Sequence, residues 1–139
     1  MEITANALQT VAPRNNVEFT STAVSGNCSI IHREGSGLVS LRGLTQQCRA
    51  RFRVTFGANV ALPADATVEP ITLAIAINGE PVTVTSMIVT PAAVEEFFNV
   101  GRSLNIDVAA GCCAQISVEN IGLTDVNVQN ANLIVERVA

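Results

Sequence analysis

Chemistry in this chain would have to pass through very few side chains. His32 is the only histidine, so any imidazole base, triad or dyad rests on it. No Gly-x-Ser-x-Gly elbow is present, and Gly35-Ser36-Gly37 is short and stands where a turn is needed. A general base works only beside positioned partners, and none flank His32, whose neighbours are Ile31 and Arg33. We therefore expect a hydrogen-bonded or surface residue on a strand and assign no catalytic residue. Lysine is absent altogether, which excludes Schiff-base enzymes, lysine bases and the phosphate-loop lysine.

Metal and thiol chemistry are equally constrained. Cys28, His32, Cys48 and one of Cys112 or Cys113 are the nitrogen and sulfur donors available for zinc. On a strand Cys28 and His32 would share a face but lie about 13 Å apart, too far for one ion without a bend. The cysteines are expected to be reduced rather than paired, and either Cys112 or Cys113 could be buried as a small hydrophobe. Cys112 and Cys113 are neighbours that point to opposite faces of a strand. Asp65, Asp107 and Asp125 are scattered and make no calcium loop. No metal-binding or cofactor-binding residue is assigned.

The most informative polar pattern is Arg49, Arg51 and Arg53 at alternate positions, with Arg42 nearby. Three arginines on one strand face suit an anion, a row of carboxylates, or simply a solvated edge that keeps a sheet soluble. Nucleic acid is disfavoured by the net charge of −4 and the scarcity of stacking aromatics, 4% with no Trp or Tyr.

The elements that must position these residues follow a two-residue period. Cys48, Ala50, Phe52, Val54 and Phe56 alternate with the arginines and Thr55. Ile71, Leu73, Ile75 and Ile77 alternate with small residues and stop at Asn78-Gly79, a tight hairpin turn after which Val82 and Val84 resume a strand. Leu104, Ile106 and Val108 precede a turn at Ala110-Gly111, then come Ile116 and Val118, and a last strand from Val126 to Val138. Shorter strands fit Val17 to Val24, Cys28 to Arg33 and Leu38 to Arg42. Ala92 to Phe98 is the only helical candidate, its Glu95-Glu96-Phe97-Phe98 run fitting one helical turn or the start of a strand. Short strands at roughly ten-residue spacing predict a single all-β sandwich or barrel. No linker or repeat divides residues 1–139, and residues 1–16 are expected to be an N-terminal arm or first strand.

Composition bounds the setting. The longest apolar runs, such as Leu73 to Ile77, are far short of the ~18 residues a spanning helix needs. No basic, apolar leader opens the sequence, so no signal peptide is expected. Asn27-Cys28-Ser29 matches a glycosylation acceptor, read as coincidence without export. Charged residues make up only 14% of the 139 residues, against about 25% in a usual soluble domain.

These motifs resemble the complement-head and tumour-necrosis-factor-like jelly rolls. The resemblance rests on Gly37 to Leu41, the long strand containing Phe52, and Leu73 to Ile77 running into Asn78-Gly79-Glu80-Pro81-Val82. It continues through Ser103 to Val108 and Ile116 to Val118, which look like the family's paired penultimate strands, to Asn132-Leu133-Ile134-Val135 as a closing strand. It covers roughly residues 36–139 and is similar to the head domains that cap bacterial collagen-like proteins, without a Gly-X-Y stalk. The resemblance implies a single TNF-like jelly-roll β-sandwich, with the arginine-bearing strand in a sheet whose outer face packs around a threefold axis.

On that model the chain is a homotrimer without enzymatic activity or cofactor. Its expected subunit interface comprises Arg49, Arg51, Arg53, Asp107, Leu133, Val135 and Glu136, with the arginines meeting Asp107 or Glu136 partly across the boundary. Leu133, Ile134, Val135 and Val138 put apolar groups on both strand faces, which fits a covered surface. The setting expected first is the surface of a bacteriophage virion, as capsid decoration or fibre head, bound to a larger lattice but to neither nucleic acid nor membrane. That expectation rests on the missing leader, a domain starting at Met1, and the absent stalk. A bacterial spore or cell surface is the alternative. A cupin-like metal or small-ligand barrel is the remote rival, which one histidine serves poorly.

Overall fold

In the computed structural model, which describes Met1 to Ala139, the alternating pattern around Phe52 becomes the longest strand of the molecule. Numbering strands in chain order, β1 is Glu2–Ala5, β2 Gln9–Val11, β3 Ser21–Val24, β4 Ile30–His32, β5 Val39–Arg42 and β6 Arg49–Ala61. Then follow β7 Ile71–Ile77, β8 Glu80–Pro81, β9 Met87–Val89, β10 Phe98–Ala109, β11 Cys113–Asn120 and β12 Val126–Arg137. The β-branched and small residues of β6 put Ala50, Phe52, Val54, Phe56, Ala58 and Val60 inward, all buried, and the arginines outward.

Two antiparallel sheets result. One has the order β10-β6-β12-β1-β3, with β2 also on β12; the other has the order β4-β5-β11-β7-β8, with β9 also on β7. They enclose a single cluster of 30 buried residues, from Ile3 to Val135. Phe19 and Phe56 meet edge to face at its centre, ring centroids 6.4 Å apart. β1 and β2 both pair with β12, so the N-terminal stretch is part of the first sheet. The chain is a two-sheet β-sandwich, one of the two forms the strand pattern predicts, and it has the jelly-roll form that the resemblance implies.

Asn78 and Gly79 have φ of 53° and 82° and join β7 to β8, with Ile77 opposite Glu80. This is the two-residue hairpin that the Asn-Gly pair signals.

Five local expectations are corrected. Val82 and Val84 do not continue a strand: Thr83–Thr85 forms a 3-10 turn, held by the buried Thr85 hydroxyl, which donates to the Val82 carbonyl and accepts from the Ile75 N–H. Ala92 to Phe97 is irregular rather than helical, with Glu95 at φ 59°, and Phe98 opens β10. Only the end of Val17 to Val24 is a strand; its earlier part is a connection that leaves β11 of one sheet and crosses to β1 of the other. There Val17 N–H donates to the Val118 carbonyl and Phe19 N–H to the Ser36 carbonyl. β10 and β11 flank the Gly111 turn but do not pair: β10 bonds β6 in one sheet, β11 bonds β5 and β7 in the other. The turn carries the chain between sheets, a step that uses the same left-handed glycine as a hairpin.

The fifth correction concerns cysteine. Cys112 and Cys113 are both exposed, not buried, as are Cys28 and Cys48.

Candidate functional site

The outward positions of the first sheet form one continuous face. β10 and β6 pair over twelve positions, from Phe98 opposite Val60 to Ala109 opposite Arg49, so outward side chains on these strands stand directly beside one another. At one end Asp107, opposite Arg51, accepts from its Nε at 2.8 Å and lies 3.3 Å from Arg49 Nε. Arg53, opposite Glu136 on β12, makes a looser pair at 3.5 Å. The hydrogen bond from Arg51 is the main reason the Asp107 carboxyl sits below the ordinary Asp value. The expected partners are thus brought together, and all three ion pairs close within one chain.

The other half of this face carries a chain of amides that sequence reasoning did not single out. Asn99 Nδ2 donates to Asn59 Oδ1 at 3.2 Å, Asn59 Nδ2 to Asn130 Oδ1 at 3.0 Å, and Asn130 Nδ2 to Asn6 Oδ1 at 2.7 Å. The relay crosses β10, β6 and β12 and ends just beyond β1. Nearby, Thr55 and Ser103 hydroxyls share a bond of 3.3 Å, and Asn132 Nδ2 donates to Glu2. Between the amides and the ion pairs, Gly57 faces Gly101 on one side and Asn132 on the other. The middle of the sheet is therefore flat. The sequence signal was the Asn content of β10 and β12, two and three residues, but the residues linked lie 40 to 124 positions apart.

Leu133 and Val135 are not on this face. They are 1% and 0% exposed and belong to the core. The register shift between Gln129 and Asn132, with Asn130 at φ 56°, is a β-bulge that changes which parity points inward. Val126 and Val128 are inward before it; Ala131, Leu133 and Val135 are inward after it. The apolar groups do stand on both faces, but the outward ones are Ile134 and Val138, 39% and 40% exposed, not Leu133 and Val135.

His32 Nε2 donates to the Ser36 backbone carbonyl at 2.9 Å, while its ring packs edge-on against Phe19. The Ser36 hydroxyl accepts from Leu38 N–H at 3.0 Å, fixing the turn, so the two side chains make no nucleophile and base pair. No three His, Cys, Asp or Glu side chains converge where an ion could be held. The largest groove, about 490 Å³, is lined by polar residues including Gln9, Arg14 and Glu18, with Leu38 its only apolar wall. Small-ligand sites are mostly apolar.

Among solved structures, the globular domain of the zebrafish complement 1qA protein superposes with a TM-score of 0.64 at 10% identity, over 96% of this chain and 93% of that one. The sugar-binding C-terminal domain of EclA reaches a TM-score of 0.43 at 14% identity, over 95% of this chain and 79% of that one. The CBM35 of Cellvibrio japonicus Abf62 reaches 0.40 at 10% identity, over 100% of this chain and 99% of that one. No protein-family model and no curated protein matches the sequence. The chain has the complement-head, TNF-like jelly-roll fold.

Proposed function

We propose that this chain is a non-enzymatic jelly-roll head that assembles as a homotrimer through the outer face of its β10-β6-β12-β1-β3 sheet. The observation that carries the reading is the character of that face: flat at the Gly57–Gly101 pair, covered by amides and hydroxyls, and bordered by arginine–carboxylate pairs. Amides carry both donors and acceptors, so such a face is complementary to copies of itself around an axis. Arginine suits a covered site because its guanidinium is weakly hydrated and forks onto carboxylates. In the jelly rolls that the sequence resembles, the corresponding sheet packs around a threefold axis.

A low charge content supports the same reading. With only 14% charged residues, a monomer would show water an unusually weakly charged surface, whereas packing subunits together removes much of it. The setting we place first is a bacteriophage virion, as capsid decoration or fibre head; a bacterial spore or cell surface is the second reading. The neighbouring genes decide between them: capsid and portal genes beside the coding sequence would support the first, spore-coat genes the second.

Sedimentation equilibrium tests the assembly. The expected mass is three times 14.6 kDa. The decisive variant is Gly57→Arg, because a Cβ at Gly57 meets nothing closer than the Val100 carbonyl at 3.9 Å. The fold tolerates the side chain, while a flat subunit face does not. A wild-type monomer, or a Gly57→Arg trimer, overturns the proposal.

A further inference from the structure

At one turn the chain carries a residue that the turn itself argues against. Asn15 N–H donates to the Ala12 carbonyl at 3.0 Å across Pro13 and Arg14, and Arg14 has φ 69°. This is the pattern of a type II turn, with proline second and a left-handed residue third, a place that ordinarily takes glycine or asparagine. An arginine there is strained. Glycine would close the same turn freely, so what arginine brings to this position is its side chain, at a cost to the turn.

Arg14 lines the largest groove of the molecule, where the connection from Arg14 to Glu18 runs between β2 and the turn joining β4 to β5. The walls of this groove are fixed. The Gln9 amide clasps Glu18 on both sides, accepting from its N–H and donating to its carbonyl, each at 2.9 Å. Arg14 N–H donates to the Asn120 carbonyl at 2.8 Å and Val17 N–H to the Val118 carbonyl at 2.9 Å, which ties the connection to β11. Opposite, Gly35 N–H donates to the Phe19 carbonyl at 2.8 Å. A Cβ on Gly37 would stand 2.8 Å from the Val17 carbonyl oxygen, so glycine lets this wall close in. Groups held in this way reach a ligand without first having to be ordered.

The groove also differs from the sheet face in how its polar groups are used. On the sheet, arginines, carboxylates and amides bond one another. In the groove, the Arg14 guanidinium and the Glu18 carboxylate belong to none of the chain's ion pairs. Asn16, beside them, holds its Oδ1 out of water with no partner, a buried acceptor that a ligand donor satisfies once the amide turns toward the groove. The Ser36 hydroxyl accepts from Leu38 N–H and keeps its own proton to donate.

We propose that this groove binds a singly charged sugar acid, with the Arg14 guanidinium on the ligand's carboxylate and the Glu18 carboxylate on its hydroxyls. Each feature of the groove selects one feature of that ligand. Arginine forks onto a planar carboxylate. An ionised carboxylate only accepts, so Glu18 calls for donors, and neighbouring hydroxyls on one ring supply two. Amides and the Ser36 hydroxyl both donate and accept, as sugar hydroxyls do. Glu18 repels a second negative charge, which disfavours a phosphate dianion. Leu38 alone gives an apolar molecule little to bind, so the ligand must be polar on every side. All the lining residues come from one chain, and the site is independent of the trimer proposed above.

The test is amide NMR of the full chain titrated with glucuronate, and with glucose, acetate and inorganic phosphate for comparison. Glucuronate is expected to bind saturably and to move the signals of Gln9, Asn15, Asn16 and Ser36. It should bind at least about tenfold more tightly than any of the other three. Arg14→Gly should weaken glucuronate binding at least about tenfold, while its urea midpoint stays at or above the wild-type value because glycine relieves the turn. Arg14→Asn, which the left-handed backbone also tolerates, should bind as weakly and serves if the glycine variant folds poorly. No saturable shift with glucuronate, shifts outside the groove, or equal binding of glucose or acetate each overturns the proposal. So does wild-type affinity in a folded variant, or a marked fall in the urea midpoint of both, which would make Arg14 a folding residue.

Discussion

Arg51 and Asp107 face each other across β6 and β10 and close a two-pronged bond, Nε donating to Oδ1 at 2.8 Å and Nη2 to Oδ2 at 3.3 Å. The two residues are 56 positions apart in sequence and meet only because twelve consecutive cross-strand pairs hold β6 and β10 in one register. Planar guanidinium and carboxylate groups in this arrangement fix each other's orientation. On a solvent-facing sheet such a pair adds little to the stability of a single chain. Its larger effect is to present a shaped, charge-balanced border to whatever covers the sheet.

Arg51→Ala should therefore leave the isolated fold intact and weaken the trimer. Sedimentation equilibrium at micromolar chain concentration is expected to show a shift toward monomer. A wild-type trimer population in the variant would remove the ion pair from the interface.

The same pair gives a pH signature. The hydrogen bond from Arg51 is the largest cause holding the Asp107 carboxyl below its ordinary value of 3.8, and the Arg51 and Arg49 charges act in the same direction. A carboxyl that binds its proton less tightly in the folded chain contributes stability that is present above the unfolded value and lost as pH falls through the folded one. A carbon-13 titration of the Asp107 side chain should show a midpoint below 3.8, rising in Arg51→Ala. An unchanged midpoint would mean that the bond is not formed in solution.

The amide relay separates assembly from folding more sharply. Asn59 both accepts from Asn99 and donates to Asn130, so Asn59→Ala interrupts the chain at its centre. These groups are exposed and water replaces their bonds, so chemical denaturation should change by less than about 0.5 kcal/mol. The trimer–monomer equilibrium should move measurably toward monomer. A variant that loses several kcal/mol of chain stability would place the relay among the folding determinants instead.

Asn120 makes the opposite prediction. It is fully buried, its Nδ2 donates to the Val11 and Thr124 carbonyls at 2.9 Å each, and its Oδ1 accepts from Gly122 N–H at 3.0 Å. Its backbone also bonds Asn15 and Arg14, so one residue fastens β2, the crossing connection and the β11–β12 loop. Asn120→Leu keeps approximate size but leaves buried polar groups without partners. The expected loss is about 3 kcal/mol or more in urea unfolding.

The sandwich was legible because its strands alternate, and alternation is a local property. Phe52 and Val54 face inward, Arg51 and Arg53 outward, and Asn78-Gly79 turns as its residue types demand. Which apolar face of β12 turns inward is not local: Leu133 and Val135 face the core and Ile134 faces out, and the change of parity at the Asn130 bulge has no distinct apolar signal. The Gly111 turn was misjudged for a related reason, since positive φ serves a hairpin and a sheet-to-sheet crossing alike. Cysteine exposure was hidden because the residue's own hydropathy argues for burial. The amide relay was hidden because each link is non-local.

Gly43 offers the most direct test of the turn that carries Cys112. A Cβ there would stand 2.1 Å from the Ala109 oxygen and 3.0 Å from its carbonyl carbon, and neither backbone atom can rotate away. Gly43→Ala must therefore lift the β10–β11 turn, stretching the bonds from Gly43 N–H to Cys112 and from Gly111 N–H to Gly43. Overpacking against backbone with loss of these bonds should cost about 2–3 kcal/mol in urea unfolding. Gly57→Ala is the matched comparison, since its Cβ has open space; there the lower entropy of the unfolded chain should make alanine neutral or stabilising by up to about 1 kcal/mol. The two glycines should thus respond with opposite signs or nearly so. Equal stability of Gly43→Ala and wild type would mean that the turn is not seated on Gly43.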